Sequence, residues 1–255
     1  MYLYAMKQCI LILCLLCGCP GRILDVAKRY LGVPYVAGTL EVADEEFLVI
    51  DEQRLDCTTF VELSVAHWMA EQSDTLSFER CVQMLRYRDG VIDGYLSRLH
   101  YFSDWVAENS RRGIWYELLP EGGNPTWKCD TLTLSFMSTH PQSYPYLRGK
   151  TWAIDSIRTI EQRYSYRPIY YIGKEWLGMS PEDLPIRDGD ILALVTDIEG
   201  LDVTHLGFAC WRGRNLHMMH ASMTHGRVVI DERTLYDYLK ERNNCLGVRV
   251  VRLDD

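Results

Sequence analysis

The chain has 255 residues, of which 47% are hydrophobic. That is enough for one substantial core and excludes wholesale disorder. The formal net charge is −8 and no Lys/Arg-rich stripe stands out, which argues against nucleic acid as a partner. No internal repeat or low-complexity segment is visible.

In chain order, the first element is Lys7 followed by an apolar run from Cys9 to Cys17. The run is too short for a stable membrane span and reads as a secretory signal over residues 1–18, with Met6 an alternative start. Leu16-Cys17-Gly18-Cys19 has the look of a lipobox, so Cys19 is a candidate lipidation site. The expectation is an extracytoplasmic, periplasmic protein that touches a membrane, if at all, only through a lipid on Cys19. Nothing later reads as an interdomain linker, so residues 22–255 are expected to form one catalytic domain.

Ile23 to Leu31 reads as an amphipathic helix that stops at Gly32, with Pro34 beyond. Leu55-Asp56-Cys57-Thr58-Thr59-Phe60-Val61 is the most informative stretch. A capping aspartate precedes a cysteine at the start of an apolar helical run, Thr58 to Ala70. A thiol there feels the positive end of the helix dipole, which favours the nucleophilic thiolate. The alternative is a small buried cysteine on an amphipathic helix. Phe78 to Tyr87, Leu99 to Ser110, Thr131 to Thr139 and Arg148 to Glu161 read as helices, and Tyr164 to Ile172 as a strand. Arg98 is a candidate for gripping a substrate carboxylate in a bidentate fork, with an ordinary structural arginine as the equal alternative. His100 and His140 read as structural. There is no His-Glu-x-x-His, no paired Cys-x-x-Cys and no phosphate-cradling loop, so neither a metal nor a cofactor is expected.

The segment from Asp188 to Ser222 reads as a meander of three strands: Asp190 to Val195, Val203 to Trp211 and Leu216 to Ser222. His205 shares a strand face with Gly207 and Ala209; His220 shares one with Met218 and Ser222. The small residues beside His205 would let another element dock closely. A helix bringing Cys57 to that face would complete a set of nucleophile, base and orienting group in Cys57, His205 and His220. His217 and His225 are the nearby rivals of His220. Of the five cysteines beyond Cys19, a nucleophilic Cys57 must stay unpaired, leaving at most two disulfides among Cys81, Cys129, Cys210 and Cys245.

Three pieces in order resemble the NlpC/P60 papain-like cell-wall hydrolases: Tyr30-Leu31-Gly32-Val33-Pro34-Tyr35, the Cys57 motif, and Asp188-Gly189-Asp190 leading into His205-Leu206-Gly207. Met219-His220-Ala221-Ser222 matches the place of that family's third catalytic residue. Ordinary members carry Ser-Gly after the cysteine, where this chain has Thr58-Thr59. The resemblance sharpens to the DUF1460, N-acetylmuramoyl-L-alanine amidase-like branch on Gly32 to Glu41, Asp93 to Trp105 and Met137-Ser138-Thr139-His140-Pro141. It implies an α+β papain-like fold, in which a cysteine-bearing helix packs on an antiparallel sheet that carries the histidines, with helical insertions. It also implies that Tyr35 reaches the active site near the oxyanion position, with the Cys57 N–H as the other donor.

The activity implied is that of a cysteine amidohydrolase of peptidoglycan fragments. It would cleave the amide between N-acetylmuramic acid, its 1,6-anhydro form included, and L-alanine through a thioester. Two alternatives stay open: an endopeptidase cutting between D-glutamate and the diamino acid, and an idle muropeptide-binding lipoprotein. The partners expected are muropeptides, with the protein acting as a monomer.

Overall fold

The computed structural model describes residues 22–41 and 45–254. The signal segment and Cys19 lie outside them. The helices are α1 (Ile23–Ala27), α2 (Cys57–Glu71), α3 (Phe78–Arg86), α4 (Phe102–Arg111), α5 (Phe136–Thr139), α6 (Thr151–Tyr164) and α7 (Leu235–Lys240). The strands are β1 (Trp115–Glu117), β2 (Trp127–Leu132), β3 (Arg167–Gly173), β4 (Ile191–Thr196), β5 (Val203–Arg212), β6 (Asn215–Ser222), β7 (Arg227–Ile230) and β8 (Cys245–Leu253). The fold is α+β. One antiparallel sheet runs β2-β3-β8-β4-β5-β6-β7, and β1 also pairs with β8.

Helix α2 forms where its cap requires. The Asp56 carboxylate accepts from the Thr59 N–H at 2.8 Å, and the Thr59 hydroxyl accepts from the Asp56 N–H at 2.9 Å. This reciprocal box satisfies two backbone donors that a helix start leaves over. The helix body is buried almost all round. Phe60 meets Phe208 of β5 edge-on at 5.6 Å, and Leu206, Met219, Ala221 and Val251 complete that side of the sheet. Fully burying a side chain such as Phe60 stabilises the fold by about 2–3 kcal/mol. The other side of the sheet packs Leu192, Leu194, Ala209, Met218 and Val250 against Leu235, Tyr238 and Leu239 of α7. A third cluster joins Tyr95, Tyr101, Leu132 and Met137 to Ile157 of α6.

The three meander strands fall within a residue or two of expectation. The stretch read as a helix from Thr131 does not start there. Residues 127–132 pair with β3, and the chain becomes helical only at Phe136. The helix expected over Ile23 to Leu31 tightens into a 3₁₀ turn at Lys28–Tyr30. Beyond Ser222 the chain supplies β7, α7 and β8, and β8 lies inside the sheet, between β3 and β4. Cys57, Cys81, Cys129, Cys210 and Cys245 are all free thiols.

Candidate active site

Residues 32–36 run between β7 and the chain entering α2. Tyr35 N–H donates to Gly226 O, Leu55 N–H to Pro34 O and Val36 N–H to Leu55 O, at 2.9, 3.0 and 3.0 Å. Pro34 has no N–H to satisfy but gives its carbonyl to this bridge. Tyr35 is thereby fixed beside the start of α2, half-buried, two residues' width from the cysteine. Burial raises its phenol pKa, and the neighbouring Cys57 and Asp56 add to the shift. The hydroxyl therefore stays a neutral donor.

Cys57 and His205 line one cavity of about 130 Å³, together with Thr58, His100, Trp105 and Asp202. A space this small admits one small group of a ligand rather than a large ligand whole. Asp202 holds two of its walls together. Its carboxylate accepts from the Ser103 N–H in α4 at 2.7 Å and from the Val203 N–H in β5 at 2.9 Å.

His205 sits in a β-bulge. Ala193 faces Leu206 and Val195 faces Val203, so Thr204 and His205 together oppose the single residue Leu194. An extra residue kinks a strand and re-aims its side chains, and this one lies at the cavity. His205 Nε2 is 2.6 Å from His220 Nδ1 on β6, with the two rings nearly perpendicular. The expected docking surface is different from the one observed. The body of α2 packs on the Leu206 and Phe208 face, and the histidine face is covered by Tyr238 of α7, 5.4 Å from the His220 ring. The room left by Gly207 is used within the sheet. A Cβ there would come within 2.6 Å of Met219 O and 2.9 Å of the His220 Cβ.

Burial pushes the Cys57 thiol up to about 11, and the Asp56 charge adds to this against the Leu206 N–H and Thr58. Burial pushes His205 down to about 3, helped by His220 and Arg242. His220 falls to about 4, again through burial, with Asp231 opposing the shift. The resting pair is therefore a thiol and a neutral imidazole. The helix dipole alone would favour thiolate, but enclosing the sulfur costs more than a half-charge at a helix end returns.

His217 points elsewhere and bonds the Asp231 carbonyl at 3.0 Å, and His225 bonds Ser222 Oγ at 3.0 Å. His100, read as structural, also lines the cavity. Its Nε2 donates to Tyr95 O at 2.9 Å, which fixes the neutral tautomer and leaves Nδ1 an acceptor. His140 is a local brace on Phe136 O. Arg98 is spoken for within its own chain. It gives Nε and Nη2 to Glu46 at 3.0 and 2.6 Å and Nη1 to Glu41 at 2.6 Å, so a substrate carboxylate would have to displace one of them. Among the described residues, no three His, Cys, Asp or Glu side chains converge as a metal site requires. The sequence reading missed Asp231, whose carboxylate faces His220; an aspartate just past a strand reads simply as a turn residue.

The model of the N-acetylmuramoyl-L-alanine amidase-like (AmiA-like) family matches residues 25–248. A crystal structure of an N-acetylmuramoyl-L-alanine amidase from Bacteroides uniformis is 38% identical, with TM-score 0.84, over 91% of this chain and 97% of that one. A Bacteroides fragilis structure named as a xylanase candidate is 39% identical, with TM-score 0.82, over 90% of this chain and 100% of that one. Protein LPG0564 from Legionella pneumophila, matched by the DUF1460 family model, shares the fold at 21% identity and TM-score 0.68, over 91% of this chain and 88% of that one. Among proteins of curated function, none matches. The match over 25–248 and the Bacteroides uniformis relative make this chain a member of the N-acetylmuramoyl-L-alanine amidase-like family.

Proposed function

We propose that this protein is a cysteine amidohydrolase of peptidoglycan fragments, of the NlpC/P60 papain-like kind, cutting the amide between N-acetylmuramic acid and L-alanine. The observation that carries the reading is that Cys57 and His205 line one cavity, with the His205 and His220 imidazoles 2.6 Å apart. Family membership supplies the substrate class. The name of the Bacteroides fragilis relative suggests glycoside hydrolysis, which needs two carboxyl groups facing one bond. Of the residues lining this cavity only Asp202 is a carboxylate, and both its oxygens are engaged by backbone N–H groups.

In this mechanism the thiol attacks the lactyl carbonyl carbon of the muramic acid as its proton passes to His205 Nδ1. The oxyanion is met by the Cys57 N–H, which the helix leaves free at its first turn, and by the Tyr35 hydroxyl. His205 Nε2–H donates to His220 Nδ1, which steadies the imidazolium. His205 then gives the proton to the departing alanine nitrogen. Water, activated by His205, hydrolyses the thioester and returns the thiol. The substrate lies outside the cytoplasm, in keeping with the signal reading of residues 1–18 and with Cys19 as a lipid anchor. N-terminal mass spectrometry of the membrane fraction tests the anchor, and an unlipidated terminus rejects it.

The activity is tested by digesting anhydro-muropeptides and intact sacculi with wild type and Cys57→Ala, with products identified by mass. Free sugar plus a stem peptide beginning with L-alanine, from wild type only, is expected. A product retaining sugar-L-Ala-D-Glu would mark an endopeptidase instead. Binding without turnover would mark an idle receptor.

A further inference from the structure

Asp231 follows β7 and is 2% exposed. Its N–H donates to Met218 O at 2.9 Å, which ties it to β6, the strand of His220. One carboxylate oxygen lies 3.7 Å from His220 Nε2. That nitrogen is fully buried and has no hydrogen-bond partner among the described residues. Arg233 clamps the carboxylate from the far side, with Nε 3.1 Å from Oδ1 and Nη2 2.9 Å from Oδ2. Burial alone would raise the Asp231 pKa, but Arg233 outweighs it and keeps the group ionised.

We propose that Asp231 is a positioning residue that selects the tautomers of both histidines and so determines that His205 can act as a base. The inference rests on the Cys57–His205 reading above. A neutral imidazole carries one N–H. If His220 carried it on Nδ1, a bare Nε2 lone pair would face the carboxylate with nothing between them. Nδ1–H would then donate to His205 Nε2, and His205 would hold its proton on Nδ1 with no lone pair for the thiol. If His220 carries it on Nε2, the N–H points at Asp231 and Nδ1 accepts from His205 Nε2–H, leaving His205 Nδ1 bare. The fixed negative charge favours the second arrangement. At 3.7 Å it acts as a charge on a dipole rather than through a short hydrogen bond.

The first test is long-range ¹H–¹⁵N spectroscopy of the histidines in the wild-type protein. Nε2–H on both His205 and His220 is expected, and Nδ1–H on His220 overturns the proposal. The second is Asp231→Asn, whose amide N–H can face His220 Nε2 and invert both tautomers. The kcat for muropeptide should fall by roughly 10²–10³, with KM within a few-fold, given the larger loss known for an analogous aspartate in direct contact with its histidine. In a His220→Ala background the same change should cost less than twofold, because the effect travels only through His220. An Asp231→Asn protein that keeps its wild-type kcat overturns the proposal, as does an equal loss in both backgrounds. If the wild type cleaves no muropeptide, the amidase reading fails while the tautomer measurement still decides the role of Asp231.

Discussion

His205 Nε2 lies 2.6 Å from His220 Nδ1, although fifteen positions separate the two residues. The contact links adjacent antiparallel strands diagonally, since Gly207, two residues along β5, stands opposite His220 in the extension of the Phe208–Met219 register. It is possible because Gly207 carries no Cβ to hold β6 away. In the proposed mechanism this contact holds the His205 ring in place, while burial favours the uncharged thiol and imidazole at rest. On that reading the proton leaves the thiol as the substrate is attacked.

That arrangement predicts how Cys57 reacts with iodoacetamide. With the thiol pushed up to about 11, only roughly one sulfur in a thousand is ionised at pH 8. Peptide-resolved mass spectrometry should show Cys57 labelling rising steadily with pH and staying slower than at Cys129, which is exposed. A labelling rate at pH 6 that exceeds that of Cys129 would reveal a thiolate–imidazolium pair and overturn this account.

His100 should contribute to binding rather than to bond cleavage. It lines the cavity with Nδ1 left as an acceptor, and its ring lies 4.4 Å from that of Tyr95. His100→Phe keeps a flat ring and removes the acceptor together with the Nε2–H bond to Tyr95 O. One lost hydrogen bond is worth about 0.5–1.5 kcal/mol, so KM should rise up to about tenfold with kcat within threefold. Steady-state kinetics on a purified muropeptide separates the two constants. An unchanged KM would leave His100 a purely structural side chain.

Much of this site could be read in the sequence because its signals are local. The Asp56 cap, the apolar run of α2 and the alternation of β5 and β6 each lie within about ten residues, and together they pointed to Cys57, His205 and His220. What escaped depends on distant partners. Strand β8 carries Arg249, which looks wrong for a central strand until its guanidinium is seen to bind Glu117 at 2.9 Å, 132 positions away. Asp231 faces His220 only because β7 folds back on β6. Arg98 reads in the sequence as a grip for a substrate carboxylate or as an ordinary structural arginine, and only the fold brings Glu41 and Glu46 onto its guanidinium. The bulge that places His205 arises from a register between β4 and β5, which no single strand encodes.

Three histidines, one buried and two partly buried, should make the fold acid-sensitive. His100 and His205 titrate near 3 and His220 near 4, against 6.5 when unfolded. Their folded values are depressed, so the unfolded chain binds more protons. The stability they contribute is complete above pH 6.5 and is lost progressively as pH falls toward 4 and 3. Near pH 5 the slope should approach about 4 kcal/mol per pH unit if all three act together. Denaturant midpoints between pH 7.5 and 4.5 measure it, and His100→Phe should flatten the slope by about a third. A stability independent of pH over that range would mean that these rings are far more accessible than the packing indicates.

Arg98 offers a direct choice between a substrate clamp and a structural clamp. Its side chain is 9% exposed and that of Glu46 is 5% exposed, and the two are joined by bonds of 2.6 and 3.0 Å. Removing one partner of a buried pair leaves the other charge without compensation, which costs about 3–5 kcal/mol. Arg98→Ala should therefore lower the unfolding free energy by about that much. Arg98→Lys should recover only part of it, because an ammonium cannot reproduce the fork that spans Glu46 and Glu41. At a temperature where the variant stays folded, KM for muropeptides should remain within threefold of wild type, since the Arg98 guanidinium is held by Glu41 and Glu46. A variant of full stability with a KM raised tenfold or more would return Arg98 to the role of carboxylate ligand, with Glu41 and Glu46 acting as placeholders that the substrate displaces.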